Sequence, residues 1–346
     1  MYAVRIYSCY VVYTSYMHTY CIHSLTYTMY FILFLQMSTV LTGTITEECF
    51  RAIYLSYAKV CKSYSEYQAP SVIIMIESIV QLYITNITHA YQQAFLYIRQ
   101  LALHLRAAMM KKGSKDQHIQ HIKHITTWQY LNCIRLWTSV LCALPSKNQL
   151  GNLFFPLTQV IIGVINNIQS IYYIPLKFHC ITCLQQLAAY GQLFIPTSPK
   201  LTDLFDLGDL NQKSTPSTSP PPNLLYIIKL PNNSINIQII KDLLINATIS
   251  LIQYDSEIYK YNTGYPEYVY ITIKKLRTFS KSTKNSIYRD LTRALACQLE
   301  DHSNWVKLHR VSYYWYTLIY IMYTSYVSTY ILFILYYKLR LNTYLY

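Results

Sequence analysis

Three phrases built alike constrain this chain most: FFP at Phe154–Pro156, YIP at Tyr173–Pro175 and FIP at Phe194–Pro196. Each is an aromatic residue, an apolar residue and a proline, repeated at intervals of about twenty residues. Proline lacks an N–H and has a fixed φ, so it loses nothing in the first turn of a helix. After Pro156 the apolar residues Leu157, Val160, Ile161 and Val164 recur at helical spacing. The phrases predict three successive helices, each opened by its proline. One helix per phrase predicts an all-α fold: an α-solenoid of antiparallel, HEAT/armadillo-like helical repeats with an internal Pro/Ser-rich linker. Only seven glycines occur in 346 residues, which weighs against tight β turns and against a Gly-rich phosphate loop.

Taken in order, residues 1–46 form a Tyr-rich apolar segment with Arg5 as its one base. Residues 311–346 form a similar tail, and 313–337 carry no charge. Half of the 38 tyrosines lie in residues 1–30 and 313–346, mixed with residues that AT-rich repeats would encode. Both ends are therefore read as translated non-coding sequence outside the fold, with membrane-spanning termini as the alternative. The helical-repeat core is expected over 47–207. Phe50–Tyr67 has helical spacing with Pro70 ending it, and Ser71 is a candidate cap for a helix through Thr88. Tyr91–Lys112 reads as an amphipathic helix with Phe95, Ile98, Leu101, Leu105 and Ala108 on one face. A histidine-bearing segment leads into a helix at Trp128–Leu144, stopped by Pro145. Residues 208–223, with STPSTSPPP at their centre, have too little apolar surface to pack and read as a linker. IIKLP (Ile227–Pro231) is apolar and is expected to dock back on the helices. Residues 224–310 are then basic helices: one from Ile235 to about Tyr254, a turn at Gly264 and Pro266, and two more ending near Arg310.

Charge narrows the function. The net charge of +14 is concentrated in two stretches. Ser78–Thr202 holds ten Lys or Arg against Asp116, and Tyr268–Arg293 holds seven against Asp290. An acidic partner is implied, whether RNA, an acidic protein segment or an anionic surface. Lys274, Lys275, Arg277, Lys281 and Lys284 are the candidates for neutralising RNA phosphates. Their bland reading is a solvated helix face. The fifteen acids are too scattered for a general acid–base pair, so catalysis is not expected, and neither is a cofactor or small-molecule substrate. HCxxC at His179–Cys183 has no second CxxC to complete a zinc site, and cysteines three apart on an apolar helix read as core. His118, His121 and His124 read as a solvated stripe. No metal is expected. Trp128 and Trp137, about two and a half helical turns apart, face different sides; core packing for both is the first reading, and the alternative leaves one of them on a neighbouring helix or in a partner interface. The candidates for a protein interface are Trp128, Tyr130, Arg135, Trp137, Pro156, Tyr173, Pro175, Lys177, Phe194 and Pro196.

The order of phrases carries a resemblance. IRQLALHLRAAM (Ile98–Met109), WQYLNCIRLWTSVL (Trp128–Leu141), FFPLTQVIIGVI (Phe154–Ile165) and YIPLKFHCITCLQQLA (Tyr173–Ala188) resemble the nucleolar complex protein 2 family. FIPTSPKLTDLF (Phe194–Phe205), STPSTSPPPNL (Ser214–Leu224) and IKLP (Ile228–Pro231) continue the same order, so the likeness covers roughly residues 70–310. The resemblance implies a helical-repeat scaffold of the nucleolus. It acts with sister nucleolar complex proteins in large-subunit (60S) ribosome assembly, on pre-ribosomes and pre-rRNA, with a chromatin role open. It departs from the family in its tyrosine-rich ends, where charged tails are expected, and at Pro220, where a lysine is expected. Nuclear thiols are reduced, so the nine cysteines are expected to be free. A generic solenoid adaptor is the alternative reading.

Overall fold

The structure is a computed structural model, and it describes residues 44–310 except 111–114, 144–148, 169, 207–219 and 232–235, together with Met322. The described residues form helices, short 3₁₀ turns and connecting segments, with no strand among them, so the fold is all-α. Eleven α-helices are described: α1 (Thr44–Val60), α2 (Ala69–Thr85), α3 (Ile87–Met109), α4 (Lys115–Ile125), α5 (Trp128–Ala143), α6 (Phe154–Asn167), α7 (Ile174–Gly191), α8 (Ser198–Thr202), α9 (Gln238–Ile258), α10 (Tyr265–Ser282) and α11 (286–310). Contacts divide the chain into two compact units. The first runs up to Ile195 and takes in the stretch that ends at Leu243. The second holds Pro196, α8 and the chain from Leu244 onward.

In the first unit α5 is the hub, packing against α1, α2, α3, α6 and α7. Most of α5 is buried: Tyr130, Leu131, Cys133, Ile134, Leu136, Trp137, Val140 and Leu141 are all core, while Trp128 and Arg135 are half-buried. Trp137 is 0% exposed and sits among the rings of Tyr54, Tyr83 and Tyr97, at 5.5, 5.5 and 6.0 Å. Three helices thus each send one tyrosine to one indole. Close approach sets two glycines: a Cβ on Gly163 would meet the Leu105 side chain at 2.5 Å, and one on Gly191 would meet the Phe154 ring at 2.6 Å.

Two of the three proline phrases open helices as expected. Pro156 lies in the first turn of α6 and Pro175 in that of α7. Pro196 does not. It lies in a non-helical segment, and α8 starts only at Ser198 with Pro199 in its first turn. A helix begun at Pro196 would carry Pro199 past its first turn, where the missing N–H and the ring clash both cost stability. Elsewhere Pro70 opens α2 rather than ending α1, and Ser71 lies inside that helix. The break falls at Asn86, whose side chain accepts from the His89 N–H at 3.2 Å and starts α3. Phe95 leaves the core face of α3. Burial follows Ala90, Ala94, Ile98, Leu101, Leu105 and Ala108, while Phe95 is exposed and lies 6.3 Å from the Tyr91 ring.

Of the Pro/Ser-rich linker, 208–219 and the two tyrosine-rich ends lie outside the described residues, though α1 begins at Thr44. IIKLP docks as expected. The Ile228 carbonyl accepts the Leu176 N–H at 3.3 Å, and the Leu230 N–H donates to the Tyr172 carbonyl at 2.7 Å. The first-turn N–H of Leu176 has no intrahelical partner, so the strap satisfies it. Ile228 and Leu230 are buried. Gln149–Asn167 is long and apolar enough to cross a membrane by length and composition, and half of it is buried inside the fold.

Candidate protein and nucleic-acid interfaces

The first candidate surface is built where α5 and α7 meet the strap. Arg135 is half-buried on α5, and its guanidinium lies over two aromatic rings: Tyr64 at 5.1 Å and Trp128 at 5.6 Å. Those rings are 4.8 Å apart, and Tyr226, in the 3₁₀ turn Leu224–Tyr226 just before the IIKLP strap, lies 5.9 Å from Tyr64. Cation–π contact of this kind holds a guanidinium in place without cancelling its charge.

The inner side of Arg135 is polar and fully specified. Nη1 donates to Asn132 Oδ1 at 3.2 Å, and Nη2 donates to His179 Nδ1 at 2.9 Å. Arginine can only donate, so Nδ1 of His179 must be the acceptor and the ring hydrogen must sit on Nε2. That Nε2–H donates to the Ile227 carbonyl at 3.2 Å. Burial, then the Arg135 cation, pulls the His179 pKa down to about 3, so the ring is neutral. His179 therefore ties α5, α7 and the strap together. Asn132 continues the network: its Nδ2 donates to the Cys61 carbonyl at 3.2 Å, and its carbonyl accepts the Tyr57 hydroxyl at 2.8 Å.

Several expected interface residues belong to the core instead. Trp137 is fully buried, Tyr130 is buried with its hydroxyl donating to the Leu101 carbonyl at 2.9 Å, and Pro175 is buried. Trp128 is the half-buried member of the tryptophan pair, so the two do face different sides. Tyr173 and Lys177 are half-buried, with Lys229 Nζ over the Tyr173 ring at 5.6 Å. Pro156, Phe194 and Pro196 are exposed, beside Phe155 at 70% and Tyr190 at 55%. Cys180 and Cys183 are buried on α7, where desolvation raises both thiols.

The second surface lies on α10 and the segment just after it, in the other unit. Lys274, Lys281 and Lys284 are exposed. Lys275 and Arg277 are not free cations. Lys275 Nζ lies 2.6 Å from Asp203 and 3.1 Å from Asp206, and Arg277 pairs with Glu300 of α11. The basic stretch looked uncompensated in sequence because its acids come from other segments.

The same unit holds a cluster absent from the sequence reading. Asp255 of α9 is 0% exposed and accepts the hydroxyls of Thr197, Ser198 and Tyr268. Burial raises its carboxyl pKa, against the pull of the three donors. It fixes the segment before α8 to α9 and α10. Asp242 and Glu257 lie on the same helix, so nothing in the sequence set Asp255 apart as the buried acid.

The described residues define an all-α protein of two helical units. A family model described as the Noc2p family matches residues 44–315, and the chain belongs to that family. It is 28% identical over 265 residues to the nucleolar complex-associated protein 2 of Arabidopsis thaliana, covering 76% of this chain and 34% of that protein. It is 26% identical over 280 residues to the nucleolar complex protein 2 of Drosophila melanogaster, covering 81% of this chain and 36% of that one. Protein REBELOTE of Arabidopsis thaliana is 24% identical over 284 residues, 81% of this chain and 46% of that protein. The chain thus spans between about a third and a half of the length of these relatives.

Proposed function

We propose that this chain is a non-enzymatic α-solenoid scaffold of the nucleolus that acts in large-subunit ribosome assembly, in complex with sister nucleolar complex proteins. The observation that carries the reading is membership of the Noc2p family over residues 44–315, with relatives named as nucleolar complex proteins. Helices adjacent in sequence pack on one another, as α1 with α2, α2 with α3, α3 with α4 and α6 with α7, which suits stacked repeats. The polar clusters support a structural role. Asp255 is sealed by hydroxyls, and His179 spends both ring nitrogens on holding three segments together. Exposed lysines on α10 suit contact with pre-rRNA.

The test is sedimentation of the tagged full chain from nucleolar extract through a density gradient. Co-migration with large-subunit precursor RNA and with a second nucleolar complex protein is the expected result. Migration as a free protein, with neither, would overturn the scaffold reading and leave a generic adaptor.

A further inference from the structure

We propose that the corner formed by Tyr64, Trp128, Arg135 and Tyr226 is a receptor for an acidic peptide, with a peptide carboxylate paired on the Arg135 guanidinium. This rests on the scaffold reading only in supposing a protein partner. The geometry supplies the rest. Arg135 is half-buried, and both of its hydrogen bonds go to neutral acceptors, Asn132 and His179. None of the five ion pairs among the described residues includes it. Glu66, two positions along the chain from Tyr64, is exposed and makes no ion pair with it. A guanidinium presents five N–H groups in a fork that matches a carboxylate, so donors remain to be used.

The surroundings select the partner. Tyr64, Trp128 and Tyr226 are half-buried, and Tyr67 and Leu225 beside them are 77% and 61% exposed. Lys62 and Lys229, flanking the corner in sequence, are exposed cations. Tyrosine, tryptophan and arginine around a half-desolvated centre are the composition of a protein-interface hot spot. The charge calls for an acidic occupant. A peptide suits it better than a nucleic acid. The guanidinium itself lies over the Tyr64 and Trp128 faces, which a stacked base would need. One caged arginine offers a bidentate point of attachment, whereas a strand is held by a row of cations.

The experiment measures fluorescence anisotropy of three labelled probes with the full chain: a (Glu-Phe)₃ peptide, its (Lys-Phe)₃ counterpart and oligouridine. The Glu peptide should bind and the Lys peptide should not. Arg135→Lys should weaken the Glu peptide at least fivefold, since an ammonium keeps the charge but loses the fork. Tyr226→Ala and Lys62→Glu/Lys229→Glu change surface groups and should each weaken it severalfold, which keeps the test valid if Arg135→Lys melts early. Lys281→Glu/Lys284→Glu should leave peptide binding unchanged. Equal Glu-peptide binding by wild type, Arg135→Lys and Tyr226→Ala overturns the proposal. Competition by oligouridine, with RNA binding lost in Arg135→Lys, also overturns it and makes the corner a nucleic-acid site. If the peptide fails to bind while the wild type still sediments with precursor RNA, the corner is wrong and the scaffold reading stands.

Discussion

The two units solve one problem, a polar group in a helical core, with opposite charges. In the first unit the centre is basic: Arg135 with neutral His179 and Asn132, partly open at the aromatic corner. In the second it is acidic: Asp255, closed off under three hydroxyls. The contrast separates a polar cluster that can still recognise something from one that is spent on architecture. Arg135 keeps unused donors and access to solvent. Asp255 has its acceptors filled and no access.

The largest expected effect lies outside both clusters and calibrates them. Trp137→Ala removes the indole that three tyrosines surround, and should cost about 3–5 kcal/mol in chemical denaturation. In the second unit, Asp255→Leu leaves three hydroxyls without an acceptor and should cost about 3 kcal/mol, while Asp255→Asn, which keeps an acceptor, should cost about 1. If the two Asp255 variants unfolded alike, the hydroxyls would not be held by the carboxylate.

The pH dependence should differ in sign between the units. The His179 pKa is lowered to about 3 in the fold, by burial first and Arg135 second. Its stabilising contribution is therefore full above the unfolded value of about 6.5 and is lost as pH falls below it, by about 1 kcal/mol at pH 5.5. Asp255 is raised, by burial. A raised carboxyl favours the protonated fold, so that unit gains stability as pH falls towards the ordinary carboxylate range. Melts of wild type and His179→Gln at pH 7.5 and 5.5 check the first sign. The wild type should lose stability on acidification, and the variant should lose about 1 kcal/mol less. The smallest effect belongs to Phe155, 70% exposed, where Phe155→Ser should shift stability by less than about 0.5 kcal/mol.

Much of the helical order was legible because proline and apolar spacing act locally. Pro156 and Pro175 mark the first turns of α6 and α7, and the apolar run Trp128–Leu141 announced the hub helix. Local signals failed where a second local signal competed. Pro199 displaced the helix start from Pro196, and Pro70 opened α2 ahead of Ser71. The candidate surfaces were half legible. Trp128 and Arg135 were found on one helix, yet Tyr64 and His179 reach them across 44 to 71 positions of chain, and Tyr226 comes in turn to Tyr64, which no spacing reveals. Separations of 23 to 72 positions likewise hid Asp203, Asp206 and Glu300 from Lys275 and Arg277. Periodicity reports which face of a helix is apolar, and stays silent on which distant polar groups will meet.

We propose a division of labour, with protein held at the Arg135 corner and RNA at the exposed lysines on and just after α10. The direct measurement is a pull-down of wild type, Arg135→Lys and Lys274→Glu/Lys281→Glu/Lys284→Glu full chains from nucleolar extract at two salt concentrations, reading bound protein and bound precursor RNA separately. Lys275 and Arg277 stay unchanged because their ion pairs are internal. Arg135→Lys should lose the protein partner and keep RNA. The lysine variant should lose RNA, with a flatter salt dependence, and keep the partner. Parallel loss of both in each variant, or of neither, would contradict it.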